Sequence, residues 1–273
     1  MAFNDISQKK CFCCGTKSLR VVKIFLKSPE SEPKYKIKNY YRKLIKCKGC
    51  GHFKNESKVN MSKIYENDYS VVSYGDNLWG RLLKIYRLNK KSDNFHRVKR
   101  ILKKFKKYTK SKNFNVLDVG AGFGLFLYAL KKKNNLWKYL AVEPNIANVK
   151  FILKKLRINT IKGFIEKFST NKKFNLVTLN KVLEHTKKPI VNLKKLKKYL
   201  KKNGQIYVEI PDGTSASKIG YSREEFFIDH FHIFSKKSLT YVIRKAGFNI
   251  IQLKKIKEPS GKYTIFAFIK SKD

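Results

Sequence analysis

The sequence predicts a doubly wound α/β domain behind a small metal-binding head. Three observations carry that expectation. Phe114-Asn-Val-Leu-Asp-Val-Gly-Ala-Gly-Phe-Gly-Leu-Phe-Leu-Tyr-Ala-Leu130 reads as a buried strand, a glycine turn and the start of a helix. From Asn113 to Ile210, apolar runs of strand length alternate with helical stretches, the pattern of a mostly parallel sheet. All five cysteines lie in the first 50 residues, four of them in two C-x-x-C turns.

A chain of 273 residues with 42% apolar and 14% aromatic content can bury a core, which excludes a disordered protein. The formal charge of +44, from 63 Lys+Arg against 19 Asp+Glu, raises nucleic acid as a partner. The excess is lysine spread over the whole length beside many Asn and Ile, so compositional bias and solvated helix faces are the simpler reading. No stretch of 18 apolar residues is present, and Met1 to Lys10 lacks the apolar centre of a signal peptide. A cytoplasmic protein with no membrane span is expected, and in a reducing compartment cysteines bind metal more readily than they pair.

Residues 1–60 form the expected head. In Cys11-Phe-Cys-Cys14-Gly15 and Cys47-Lys-Gly-Cys50-Gly51-His52 two thiolates per turn are spaced to share one ion, and the glycine lets the backbone curl towards sulfur. Cys11, Cys14, Cys47 and Cys50 are thus the expected ligands of a structural Zn2+, with Cys13 to spare. The 32 residues between the turns hold two β-like runs, Leu19 to Leu26 and Tyr35 to Ile45, a zinc-ribbon layout. Four thiolates leave no open position, so the role is structural.

Residues 61–112 read as a linker with tyrosines at 65, 69 and 74, then two helices from Leu78 to Lys107 broken near Ser92-Asp93, where either side chain can cap. Residues 113–273 form the large domain. Its strands are Asn113 to Val119, Trp137 to Glu143, Asn159 to Lys162, Phe174 to Asn180 and Gln205 to Ile210, closed by a hairpin of Asn249 to Ile256 with Lys262 to Ile269. Helices follow the first, second and fourth strands. The last of these starts at Pro189, runs to Lys202 and is stopped by Asn203-Gly204; another runs from Ser235 to Ala246, stopped by Gly247.

Glu143 lies 19 positions beyond Gly124 at the end of the second strand, where its carboxylate reaches the first turn and can accept from both ribose hydroxyls of a nucleoside. The glycines run G-x-G-x-G, and Asp118 stands two residues before Gly120. A carboxylate there repels a pyrophosphate and suits an ammonium group. S-adenosylmethionine has an ammonium, a sulfonium and a ribose diol, and no phosphate.

Val116-Leu-Asp-Val-Gly-Ala-Gly-Phe-Gly124 resembles the cofactor motif of class I S-adenosylmethionine-dependent methyltransferases. Ala141-Val-Glu143-Pro144, Phe174 to His185 and Glu209-Ile-Pro211-Asp212 are similar to that family's second-, fourth- and fifth-strand signatures. The resemblance spans roughly residues 95 to 273. It implies a Rossmann-like, seven-stranded methyltransferase sheet with S-adenosylmethionine as cofactor. By resemblance, Gly120, Ala121, Gly122 and Gly124 cradle the methionine part and Asp118 supports its amino end. Glu143 takes the ribose, Phe164 and Ile165 flank the adenine, and Asn180 faces the cofactor. Two zinc knuckles ahead of such a domain look like the subgroup of nucleotide-sugar and polysaccharide-associated methyltransferases, which implies a sugar or nucleotide-sugar acceptor in surface-polysaccharide biosynthesis. In that subgroup the tyrosine-rich segment can fold over the cofactor, which makes Tyr69 and Tyr74 candidate contacts beside a packing role.

Methyl transfer to a hydroxyl or acidic carbon also needs a base. Phe226-Phe-Ile-Asp229-His230-Phe-His232-Ile-Phe-Ser235 resembles the subgroup's acceptor-facing segment, which makes His230 the expected base, with His185 and His232 as alternates. The sugar C-methyltransferases carry a tyrosine where Phe227 stands and a further C-terminal domain beyond the matched region, departures that weigh against deoxysugar C-methylation. Two other functions stay open: an RNA methyltransferase using the basic surface and ribbon, and a non-catalytic cofactor-binding scaffold.

Overall fold

The computed structural model describes residues 9–35, 37–61, 64 and 75–272. Tyr65, Tyr69 and Tyr74 lie outside the described residues. The large domain is a seven-stranded sheet ordered β10-β11-β8-β7-β4-β5-β6. Its strands are β4 Asn115–Val119, β5 Lys138–Glu143, β6 Asn159–Lys162, β7 Phe174–Asn180, β8 Leu200–Pro211, β10 Phe248–Lys257 and β11 Tyr263–Ser271. The first five are parallel, whereas β11 runs antiparallel to both β8 and β10. The expected α/β fold class is therefore the observed one. The order reverses between β5 and β7 around β4, so the carboxyl ends there flank a crevice suited to a ligand.

Helices cover both faces. On one, α1 Leu78–Arg87, α2 Asp93–Lys104 and α3 Leu125–Lys133 bury Leu82, Val98, Ile101, Leu127 and Leu130. The break between α1 and α2 falls at Ser92, whose hydroxyl accepts from the Asn94 amide at 3.2 Å. On the other face lie α5 Pro189–Lys197 and α7 Lys236–Lys245, with the one-turn helix α6 Gly213–Ala216 between them in the chain. Helix α4 is Ile146–Phe151, extended by a π-turn over Ile152–Leu156. Helix α5 stops at Lys197, five residues short of the expected end at Lys202 before Asn203-Gly204. Tyr199 ends it early: its ring stacks on Phe168, its hydroxyl donates to the Phe168 carbonyl, and its own carbonyl accepts from Phe174, so the chain is already extended at Leu200. Asn203, at φ 64°, sits inside β8 as a kink.

The head is a second sheet, β1 Leu19–Phe25, β2 Arg42–Cys47 and β3 Phe53–Ser57, all antiparallel. The second run begins at Arg42 and not at Tyr35, because Tyr35 turns inward against Met61, Ile64 and Ile228. A fourth strand completes this sheet: β9, His232–Ile233, from the far end of the chain. The head also joins the core under α5 and α7, where Cys11, Cys13, Cys47 and Cys50 are buried with Leu239, Val242 and Ile243. Polar contacts fix the seam: the Ser235 hydroxyl donates to the Cys50 carbonyl, and Lys237 reaches the Gly49 carbonyl at 2.8 Å.

Candidate active site

The turn after β4 adopts left-handed backbone at all three glycines, with φ of 72° at Gly120, 56° at Gly122 and 80° at Gly124. A Cβ at Gly120 would lie 2.6 Å from Val182, and one at Gly124 2.6 Å from Leu156, so side chains are excluded by space as well as by torsion. The Gly120 and Ala121 amides donate to the Val142 carbonyl at 2.8 and 3.1 Å, and the Gly122 amide donates to Glu143 Oε2 at 2.9 Å. Glu143 Oε1 accepts from the Asn145 amide and Asn148 Nδ2. One carboxylate thus ties the glycine turn to the start of α4. Burial pushes this carboxyl up to about 7 against the pull of those donors.

Asp118 is buried under the turn and accepts from Thr178 at 2.6 Å and Asn180 Nδ2 at 2.9 Å; burial raises it to about 7 as well. The bond to Asp118 orients Asn180 and leaves its Oδ1 buried without a partner among the described residues. That oxygen calls for a donor from a ligand.

One cavity of about 1160 Å³ runs from the glycine turn to the acceptor segment. It exceeds the roughly 300–1,000 Å³ of ordinary ligand pockets, which leaves room for two bound molecules. Gly120, Gly122, Glu143, Phe164, Ile165 and Asn180 line its first half. Asp118, Ala121 and Gly124 do not line it and sit behind the wall. A carboxylate for a diol, an unpartnered amide oxygen and glycine amides without side chains fit S-adenosylmethionine in donor set.

Glu184, His185, Phe227 and His230 line the second half. His230 Nδ1 is 3.0 Å from the Glu225 carbonyl, and His185 Nδ1 is 2.9 Å from the Asp229 carbonyl. His185 is lowered below its usual pKa by burial and by the neighbouring His230. Phe227 presents no hydroxyl. His232 is not in the cavity: it is buried in the seam, 3.2 Å from His52, where burial lowers it to about 4.

The backbone carrying His230 is held by the head. Asn55 on β3 donates to the carbonyls of Phe227 and His230, both at 2.9 Å, and to that of Phe226 at 3.2 Å. Arg42 on β2, fully buried, donates to Asn55 and to the Phe226 carbonyl. Glu32 accepts from the Ile228 amide and from Tyr40, each at 2.6 Å. None of these residues carried a sequence signal, because each acts on backbone some 170 to 200 positions away, and isolated polar side chains in strands look like solvent-facing ones. Half-buried Lys181 escaped notice too; its amine donates to Thr264 at 2.8 Å.

In the head, Cys11 and Cys50 sulfurs are 3.6 Å apart, as are those of Cys14 and Cys47, and all four fall within 4.8 Å of one another. A tetrahedron with bonds of about 2.3 Å has edges of about 3.8 Å, so the set fits zinc. Cys13 is buried beside Cys11 and Cys50.

Residues 87–253, more than half of the chain, match the family model described as "Methyltransferase domain". The uncharacterized protein MJ0638 of Methanocaldococcus jannaschii is 31% identical over 157 residues, which are 58% of this chain and 63% of that protein. The chain thus spans less than two thirds of the curated relative it matches. Among solved structures, magnesium protoporphyrin IX methyltransferase from Synechocystis PCC 6803 with bound SAH matches with a TM-score of 0.58 at 13% identity, over 78% of this chain and 100% of that one. An S-adenosylmethionine-dependent methyltransferase from Clostridium acetobutylicum matches at 0.53 and 15%, over 72% and 100%. The [4+2]-cyclase SpnF matches at 0.51 and 11%, over 64% and 80%. At these identities the likeness is one of fold. The family model and the seven-stranded sheet agree, and the chain belongs to the methyltransferase-domain family.

Proposed function

We propose that the protein transfers a methyl group from S-adenosylmethionine to a sugar or nucleotide-sugar in surface-polysaccharide biosynthesis, with zinc holding the ribbon. The observation that carries the transfer is the single cavity joining Glu143 and the glycine turn to His230. When bound, the cofactor supplies an activated sulfonium methyl. Glu143 accepts from the ribose diol, Asn180 Oδ1 takes a donor from the amino-acid end, and Asp118 keeps Asn180 aimed. Gly120 and Gly122 let the backbone approach, with Ala121 and Gly124 shaping the turn behind them, and Phe164 and Ile165 flank the adenine. His230, its Nδ1 proton engaged by the Glu225 carbonyl, offers Nε2 as the base for the acceptor proton. His185 orients beside it, and His232 serves the seam. Exposed Lys34, Lys167, Lys187 and Lys188 at the rim suit the phosphates of a nucleotide-linked acceptor.

The [4+2]-cyclase named above has the same fold, so the reaction itself must be tested. Calorimetry with S-adenosylmethionine should give binding that Glu143→Ala weakens, and labelled methyl should pass to a nucleotide-sugar from a panel. Absence of binding, or equal binding by the variant, sinks the reading. Zinc analysis should return one thiolate-bound ion per chain, lost in Cys14→Ser. RNA is the second reading, favoured by the charge of +44; it predicts tight RNA binding that weakens steeply with salt.

A further inference from the structure

Glu184 is fully buried at the acceptor end of the cavity, and neither of its carboxylate oxygens has a hydrogen-bond partner among the described residues. The nearby amine of Lys181 is bonded to Thr264 instead. A buried carboxylate left without donors is costly, so the arrangement calls for a cationic ligand.

Two imidazoles share the same space. The rings of His185 and His230 have centroids 4.7 Å apart, and one ligand atom from each falls within 4.8 Å of the other and of a Glu184 oxygen. Their tautomers are set from outside the cluster. A carbonyl can only accept, so the Nδ1 atoms facing the Asp229 and Glu225 carbonyls carry the protons, and each neutral ring keeps its lone pair on Nε2. The Asp229 carboxylate, 3.7 Å from His185 Nδ1, adds the support found behind metal-bound imidazoles. Glu184, His185 and His230 thus bring one carboxylate and two imidazoles, each ring with one nitrogen not engaged by those carbonyls, into one space.

We propose that Glu184, His185 and His230 form a binding site for one divalent first-row transition ion, separate from the four thiolates of the head. Two imidazole nitrogens and one carboxylate oxygen suit Mn2+, Fe2+, Co2+ or Zn2+, and three protein ligands leave positions open towards the cavity. The role of this site rests on the methyl-transfer reading, although its existence does not. An acceptor hydroxyl bound at an open position is acidified, so its O–H bond breaks with the proton passing to water, and the ion keeps its oxidation state. With the ion bound, the Nε2 of His230 offered above as the base is a ligand, and acidification by the ion takes the place of proton removal by the imidazole.

The test uses the full chain with its thiolate site loaded with zinc, titrated with Mn2+ followed by electron paramagnetic resonance and with Co2+ followed by absorption. One further equivalent is expected to bind, and Glu184→Gln and His230→Gln should each weaken it at least about tenfold. Circular dichroism melts and calorimetry with S-adenosylhomocysteine report whether each variant is folded. No uptake of either ion beyond the zinc, or uptake unchanged in both folded variants, overturns the site. Methyl transfer that persists unaltered in EDTA while the thiolate zinc is retained overturns its role and leaves the transfer reading standing. Ion binding without any cofactor binding does the reverse.

Discussion

The two halves of the cavity are built in opposite ways. The half around the glycine turn is mostly local: Asp118, the three glycines and Glu143 come from 26 consecutive positions, 118 to 143, joined by hydrogen bonds within that stretch and to the neighbouring β7, and only Phe164, Ile165 and Asn180 come from further on. The acceptor half is assembled from the two ends of the chain. Its histidine rides on a loop whose carbonyls are held by Asn55 and Arg42 of the head, and whose continuation, β9, is the fourth strand of the head's own sheet. The head is therefore part of the frame of the His230 half of the cavity and not an appendage. On the methyl-transfer reading proposed above, a donor half set by the fold and an acceptor half framed by a separate module make a division suited to one chemistry on many substrates.

The largest way to break this contrast is to remove the frame alone. Asn55→Leu should lower methyl transfer by about 100-fold or more, since a displacement of about 1 Å is enough for that, while cofactor affinity by calorimetry stays within about threefold. Equal losses of both would mean that the halves are one unit. Gly120→Ala is the converse: the added Cβ meets Val182 in left-handed backbone. It should weaken cofactor binding by about 10- to 100-fold and lower stability by about 1–3 kcal/mol in a denaturant melt.

A subtler test uses pH. Burial raises Glu143 from 4.5 to about 7, so the protonated carboxyl is favoured by folding. Its contribution to stability is complete below about pH 4.5 and lost as pH rises through about 7. Diol hydroxyls donate to the ionised form, so cofactor affinity should instead climb between about pH 6 and 8, by up to about tenfold per unit below 7. Titration calorimetry across that range should show the rise in the wild type and a shallower one in Glu143→Gln, where Asp118 still titrates near 7. The smallest effect belongs to the rim: Lys187→Ala with Lys188→Ala should raise KM for a nucleotide-linked acceptor by about 2- to 10-fold and leave kcat unchanged. A steeper loss for RNA than for any nucleotide-sugar would favour the nucleic-acid reading.

Legibility follows the same division. Strand β4, its glycine turn and the acid ending β5 were readable because each residue type answers a constraint within its own neighbourhood: apolar bulk for a buried strand, glycine for positive φ, a carboxylate one strand away. The knuckle cysteines were readable for the same reason, since two residues of spacing set the reach of two sulfurs. The end of α5 was misread because Tyr199 obeys Phe168 and Phe174, contacts that the Asn203-Gly204 stop signal does not contain. Asn55, Arg42 and Glu32 were silent, and His232 was an alternate base only through the resemblance of its segment, whereas the structure packs it in the seam beside His52.

By itself the sequence determined the α/β alternation, the set of four clustered cysteines and the glycine turn after β4, since backbone torsion and short-range spacing act on residues already adjacent in the chain. Only the tertiary structure decided what surrounds His230. The partners of its loop lie in the head, and the bonds that place it exist only after the strand His232–Ile233 has joined the sheet of residues 19–57.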